Sequence, residues 1–176
     1  MAATAPYGAW ASPISAELVA AGGVSLDEVR VAGPAVHWIE GRPLEGGRQV
    51  VCRAVPGEAA KDLLPEGFNA RTRVHEYGGG AYLVHDGVLF FSNFADQRLY
   101  RRDPGDGRPR PITPEPPGPA GHRYADASPT PDGRRLVCVR ERHQDGRVDN
   151  ELVAVPADGG GPPVVLAAGR DFYATP

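Results

Sequence analysis

Lysine is nearly missing from this sequence: Lys61 stands alone among 19 basic residues, and arginine supplies the rest. Against 22 acidic residues that leaves a net charge of −3, with no general attraction to nucleic acid or an acidic membrane surface. No nucleic-acid partner and no membrane partner is expected. Cysteine is scarce as well. Cys52 and Cys138 each lie inside an apolar run, too few for a disulfide framework, and read as buried small hydrophobes in a reducing compartment. The opening "MAATAPYGAW" lacks the basic start and apolar run of a secretion signal. No stretch approaches the roughly 20 apolar residues that span a bilayer. The expectation is a cytoplasmic chain, whose 176 residues suffice for one domain with an ordinary core.

Helical pattern is equally sparse. Glycine (23) and proline (19) are abundant, as in a chain cut often by turns. One segment, "SPISAELVAAGG", reads as a helix, with Ser12 as its cap, Pro13 at its first position and Gly22 ending it in a left-handed conformation. Everything downstream is short runs of β-branched and aromatic residues between turn signals.

Those runs repeat. First strands are expected in "DEVRV", "AYLVH" and "RYADA". Second strands are "VHWIE" from Val36, "VLFFS" from Val88 and "LVCVR" from Leu136, and third strands are "QVVCR" from Gln49, "QRLYR" from Gln97 and "NELVAV" from Asn150. Short closing runs follow in "KDLL", "RPIT" and "PPVVL". Matching positions recur after roughly 48 to 53 residues, the length of four strands plus turns and the period of a β-propeller blade. A β-sandwich also yields short strands with regular turns, but it need not group them in fours at a fixed period. The predicted fold is therefore all-β: about three four-stranded blades of an incomplete propeller, with a short N-terminal helix. The expected divisions are 1–25 for the N-terminal segment, 26–66, 67–115 and 116–169 for three blades, and 170–176 for the start of a truncated fourth.

In such a fold the first-to-second and third-to-fourth turns share one face, and here they are mostly tight and glycine-rich ("HDG", "TPDGR", "DPGDG"). The opposite face receives the bulkier, charged loops, among them "PEGFNARTRVHEYGGG", and loops on a rigid scaffold are where binding usually resides. Within that loop a histidine and a carboxylate stand beside three glycines. A phosphate cradle would need a helix after the glycines, but a β-hairpin follows. A zincin helix would need a second histidine where Gly79 stands, and His37, His85, His122 and His143 show no close ligand spacing. No Gly-x-Ser-x-Gly elbow occurs, so no activated serine nucleophile is indicated. No metal and no cofactor is expected. Gly78 to Gly80 read as a tight entry into an inner strand. Arg73, His75, Glu76 and Tyr77 read either as loop-locking residues or as substrate-gating contacts at a channel mouth, with Arg73 or Arg71 as hydrogen-bond donors to Glu76.

"SPISAELVAAGGVSLDEVR", "IEGRPLEGGRQVV", "DLLPEGFNARTRVHEYGGGAY" and "VLFFSNFADQRLYR" resemble the N-terminal propeller of bacterial prolyl oligopeptidase-family serine peptidases. The nearest branch is that of the acylaminoacyl peptidases and dipeptidyl aminopeptidases. "SPTPDGRRLVCV" resembles a serine-proline-aspartate-glycine hairpin common in these propellers, altered by Thr130-Pro131. The resemblance covers nearly the whole chain, and "RVHEYGGGAY" is its most specific piece. It implies a two-domain enzyme, in which the propeller restricts access of large substrates to a C-terminal α/β-hydrolase domain that cleaves short peptides. None of the family's serine, aspartate and histidine triad has a counterpart here, so the chain would supply part of the filter. A stand-alone β-rich binding or scaffold module is the alternative, and a degenerate gene fragment is a third reading.

Overall fold

The computed structural model describes residues 4–9, 12–21, 23–105 and 107–176. Among these residues, twelve strands form three antiparallel four-stranded sheets, each built from consecutive strands. The first holds β1 (Ser25–Ala32), β2 (Ala35–Arg42), β3 (Arg48–Ala54) and β4 (Lys61–Asp62). The second holds β5 (Tyr82–His85), β6 (Val88–Ser92), β7 (Leu99–Arg102) and β8 (Arg110–Pro111). The third holds β9 (His122–Pro129), β10 (Arg135–Gln144), β11 (Arg147–Pro156) and β12 (Val164–Ala168). Each sheet is a meander, as the repeat predicts.

Details at the ends depart from the sequence reading. The helix α1 (Ala16–Ala21) starts three residues later than Pro13, and Ser15 caps it: its Oγ accepts the Leu18 amide at 3.0 Å. Ser12 Oγ instead accepts the Ile14 amide at 3.0 Å, a local turn two residues long. Two serines of equal capping propensity lay within reach, and the one whose oxygen meets the third helical amide prevailed. The expected end at Gly22 lies outside the described residues. Gln97 does not open the third strand of its sheet; it turns with φ of 58° and is wholly buried, and β7 begins at Leu99.

The core lies between sheets. One apolar layer joins the first two, with Ile39, Val51, Leu64 and Ala70 against Tyr82, Leu89 and Phe91. A second joins the next pair, with Leu83, Phe90, Leu99 and Ile112 against Tyr124, Leu136, Cys138, Val153 and Val155. Alternation along each strand makes this possible. In the second sheet Leu89 and Phe91 face back to the first, while Phe90 faces forward to the third. Both cysteines are free and buried, and burial pushes both thiols up to about 12, so neither is a nucleophile near neutral pH.

The tight turns gather on one side. Residues 32–35, 86–87 and 104–105 line a single cavity there. Two inner strands carry a bulge. Between Asp27 and Arg30 on β1, and opposite Cys138 on β9, the register slips by one residue. Glu28 and Asp126 occupy these bulges with φ of 48° and 55°.

Phe91 is the centre of the first layer, stacked on Tyr100 at 5.6 Å and met edge-on by Phe68 at 6.0 Å. Phe91→Ala is expected to cost about 3–5 kcal/mol in urea unfolding. A loss below about 1 kcal/mol would contradict the inter-sheet core.

Candidate functional site

The loop from 65 to 81 carries the chain from β4 to β5, and its amides are met by side chains from all three sheets. Ala70 N–H donates to Gln49 O at 2.9 Å, while Asn69 Oδ1 accepts the Gln49 amide at 3.0 Å. From the second sheet, Asn93 Oδ1 accepts the Asn69 amide at 3.2 Å and Gln97 Oε1 the Arg73 amide at 2.7 Å. From the third, Glu141 Oε1 accepts the His75 amide at 2.7 Å and Asp126 Oδ1 the Gly80 amide at 2.5 Å. Glu28 of the first sheet accepts the Ala81 amide at 3.0 Å. Burial raises the Glu28 carboxyl above its ordinary pKa.

The glycines have separate reasons. Gly78 needs a φ of 98°. Gly80 sits so close to the Asp126 bulge that a Cβ would lie 2.8 Å from its Oδ1. They narrow the approach to β5, as the sequence suggested.

Residues 74–77 form a turn in which His75 and Glu76 adopt left-handed φ values of 56° and 65°. Such backbone costs about 1–2 kcal/mol per residue and persists only where side chains hold it. The His75 side chain is 7% exposed. Its Nδ1 lies 3.3 Å from Glu141 Oε1, outside hydrogen-bond geometry, and has no hydrogen-bond partner among the described residues. Its Nε2 is 3.2 Å from Tyr173 O, and the Phe172 ring meets it edge-on at 5.1 Å. Glu141, 4% exposed, also contacts His143 Nε2 at 2.9 Å.

Arg123, which sequence reasoning missed, secures the turn. Its Nη1 donates to Glu76 Oε1 at 2.6 Å and to Arg73 O at 2.8 Å. The Arg73 guanidinium is farther from Glu76, at 3.7 Å, and Arg71 stacks over the Phe94 ring instead. The Arg123 hydrogen bond lowers the Glu76 pKa, so its carboxylate is ionised at neutral pH. The four candidates therefore divide. The His75 side chain is buried, whereas Arg73, Glu76 (67% exposed) and Tyr77 (84%) present polar and aromatic surface on the loop face. Beside them a cavity of 370 Å³ is lined by Glu28, Gln49, Arg71, Tyr77 and Gly79.

Only a charged strand position announced the missing partners. Glu28, Asp126 and Glu141 are acids inside otherwise alternating strands, and Arg123 precedes a buried Tyr124. Ser92, deeply buried, donates its hydroxyl to Tyr124 O at 2.7 Å. Among the described residues no three His, Cys, Asp or Glu side chains are grouped to hold a metal ion. This geometry suits holding and contact.

Three radially layered four-stranded sheets with a locked, charged loop face define a propeller-type module. A puromycin-hydrolyzing peptidase from Mycobacterium tuberculosis matches 99% of the chain at 44% identity with a TM-score of 0.89. A puromycin hydrolase matches 90% of it at 37% identity and 0.78. The chain thus belongs to the prolyl oligopeptidase family, as an N-terminal propeller part of its peptidases. It spans 29% and 26% of the length of those two chains. A nidogen/laminin complex, at 11% identity and a TM-score of 0.53, shares the fold alone. No protein-family model and no curated protein matches the chain.

Arg123→Met is expected to cost about 2–3 kcal/mol, because it strips a charge-assisted bond and leaves Glu141 buried beside fewer donors. Glu76→Gln, at an exposed carboxylate, lowers the melting temperature less. The folded pKa of Glu76 is depressed, so its contribution is present above the ordinary glutamate pKa and fades as pH falls through the folded value. Melting curves of wild type and Glu76→Gln should therefore converge in acid; a gap that persists well below the carboxylate range would refute the pairing.

Proposed function

We propose that this chain forms part of a propeller covering the active site of a C-terminal α/β-hydrolase domain and admitting short peptides while excluding large folded ones. The observation that carries this reading is the rim itself. A loop whose amides are bonded by side chains from three sheets keeps its shape, and a filter needs a rim that does not yield. The peptidase neighbours supply the reaction class, extended here to the parent of this chain. Arg73, Glu76 and Tyr77 stand at the mouth, and Glu76 meets the free amino end of a peptide in the acylaminoacyl/dipeptidyl aminopeptidase branch. His75 holds the turn from below. Buried, reduced thiols fit a cytoplasmic setting, and no helix is long and apolar enough to cross a membrane among the described residues.

The grouping of the strands supports blade divisions near 26–66, 67–115 and 116–169, with β1 starting one residue earlier at Ser25, and a repeated contact supports residues 170–176 as the opening of a further blade. The bulge acid Glu28 accepts the Ala81 amide as β5 begins. The bulge acid Asp126 accepts the Thr175 amide at 3.4 Å, at the matching step of the repeat. Apolar surface points the same way. Leu26, Val29 and Val31 on β1 and Ile14, Leu18 and Val19 around α1 are exposed, which suits burial under further protein and disfavours a stand-alone scaffold.

Glu76→Gln in the parent peptidase should lower kcat/KM about tenfold for free-amine peptides and leave N-acetylated ones unchanged. An equal change in both substrates would reduce Glu76 to a loop-holding residue. Separately, the 176-residue chain alone should turn over no aminoacyl or N-acyl-peptide substrate and should self-associate in sedimentation. Serine-reagent-sensitive hydrolysis, or a monodisperse monomer, would overturn the filter-part reading.

A further inference from the structure

The strongest unassigned feature lies on the opposite side, between the first two sheets. His37 pairs in register with Arg53 across β2 and β3, so both project from the face that Ile39 and Val51 pack against the second sheet. Arg102, paired with Leu89 on β6, projects back from the second sheet. The three meet in a cavity of 590 Å³ whose wall includes Leu63, Val84 and Leu89. That volume falls in the range of small-molecule sites.

The charges there are unbalanced. Arg42, Arg101, Arg123 and Arg140 each contact an acid: Asp62, Asp103, Glu76 and Glu151. Among the described residues, Arg53 and Arg102 make no ion pair and no hydrogen bond from their side chains. His37 is 3% exposed, and its Nδ1 is without a hydrogen-bond partner; the buried Arg102 Nε is unpaired too. Buried polar atoms in native proteins are ordinarily satisfied, and buried cations ordinarily face an anion. Among the described residues the one acid in the lining, Asp86, is exposed and lies 3.5 Å from His85. Burial, with the charge of Arg53, lowers the His37 pKa, as a pocket of uncompensated positive charge should.

We propose that this inter-sheet cavity binds a small organic anion, a phosphomonoester or a carboxylate, on Arg53, Arg102 and His37. The guanidiniums hold the anionic head by charge-assisted hydrogen bonds, His37 donates a further one, and the apolar wall takes the organic part. The site is on the tight-turn side, away from the peptide mouth, and it stands whether or not the filter reading does.

Calorimetric titration of the 176-residue chain with phenyl phosphate, benzoate and the neutral benzyl alcohol tests it. Saturable binding of an anion without binding of the alcohol is expected, and the tighter anion identifies the head group. Arg53→Gln and Arg102→Gln should each weaken that binding about tenfold, the loss of roughly one charge-assisted bond. No saturable heat from either anion up to about 10 mM, or binding unchanged in both variants, overturns the proposal. Melting in anion-free buffer gives a second readout. There both variants should melt at or above wild type, since each removes an unpaired cation, and inorganic phosphate should raise the melting temperature of the wild type alone. Variants that melt lower without anion would mark the arginines as structural and overturn the site.

Discussion

A chain that crosses from the outer strand of one sheet to the inner strand of the next must leave the hydrogen-bonded ladder, and its amides then need other partners. In this protein the crossing at 65–81 finds them in side chains: Asn93 and Gln97 from the second sheet, Glu141 and Asp126 from the third, Glu28 from the first. Unmade backbone bonds in a buried crossing would cost about 1–3 kcal/mol each, so these acceptors decide whether the sheets sit together at all. The glycines, the inner-strand bulges and the left-handed turn at His75 and Glu76 are consequences of bringing those acceptors within reach.

The same arrangement separates two surfaces. On the loop side, polar groups are partnered: Glu76 with Arg123, and Glu141 with the His75 amide and the His143 ring. Pairing there fixes shape and leaves one carboxylate exposed. On the turn side, between the first two sheets, Arg53 and Arg102 have no ion-pair partner among the described residues. One surface is locked by its own side chains and the other is left open to a ligand of opposite sign.

Much of this was legible in advance, for a local reason. Strand alternation and Asp-Gly turns act over a few residues, so "VLFFS" is β6 residue for residue and all twelve strands were indicated. Errors fell where two local signals competed, as with Ser12 and Ser15 at α1. The loop itself was legible as a candidate site, from its histidine, carboxylate and glycines, but its partners were not. Arg123 lies 47 residues from Glu76, and Glu141 lies 66 from His75. Nothing near Arg123 distinguishes it from the other arginines of an arginine-rich chain.

The sequence by itself determined the strand positions, the blade period, the tight-turn face and the glycines of the crossing, because each rests on backbone preferences that neighbouring residues set. Tertiary structure alone decided that the His75 side chain is buried while Glu76 and Tyr77 are exposed. It also chose Arg123 over Arg71 and Arg73 as the nearest donor to Glu76, and it gathered His37, Arg53 and Arg102 around one cavity. Charge pairing acts through space over a few ångströms, and which charges come that close is fixed only when the sheets pack.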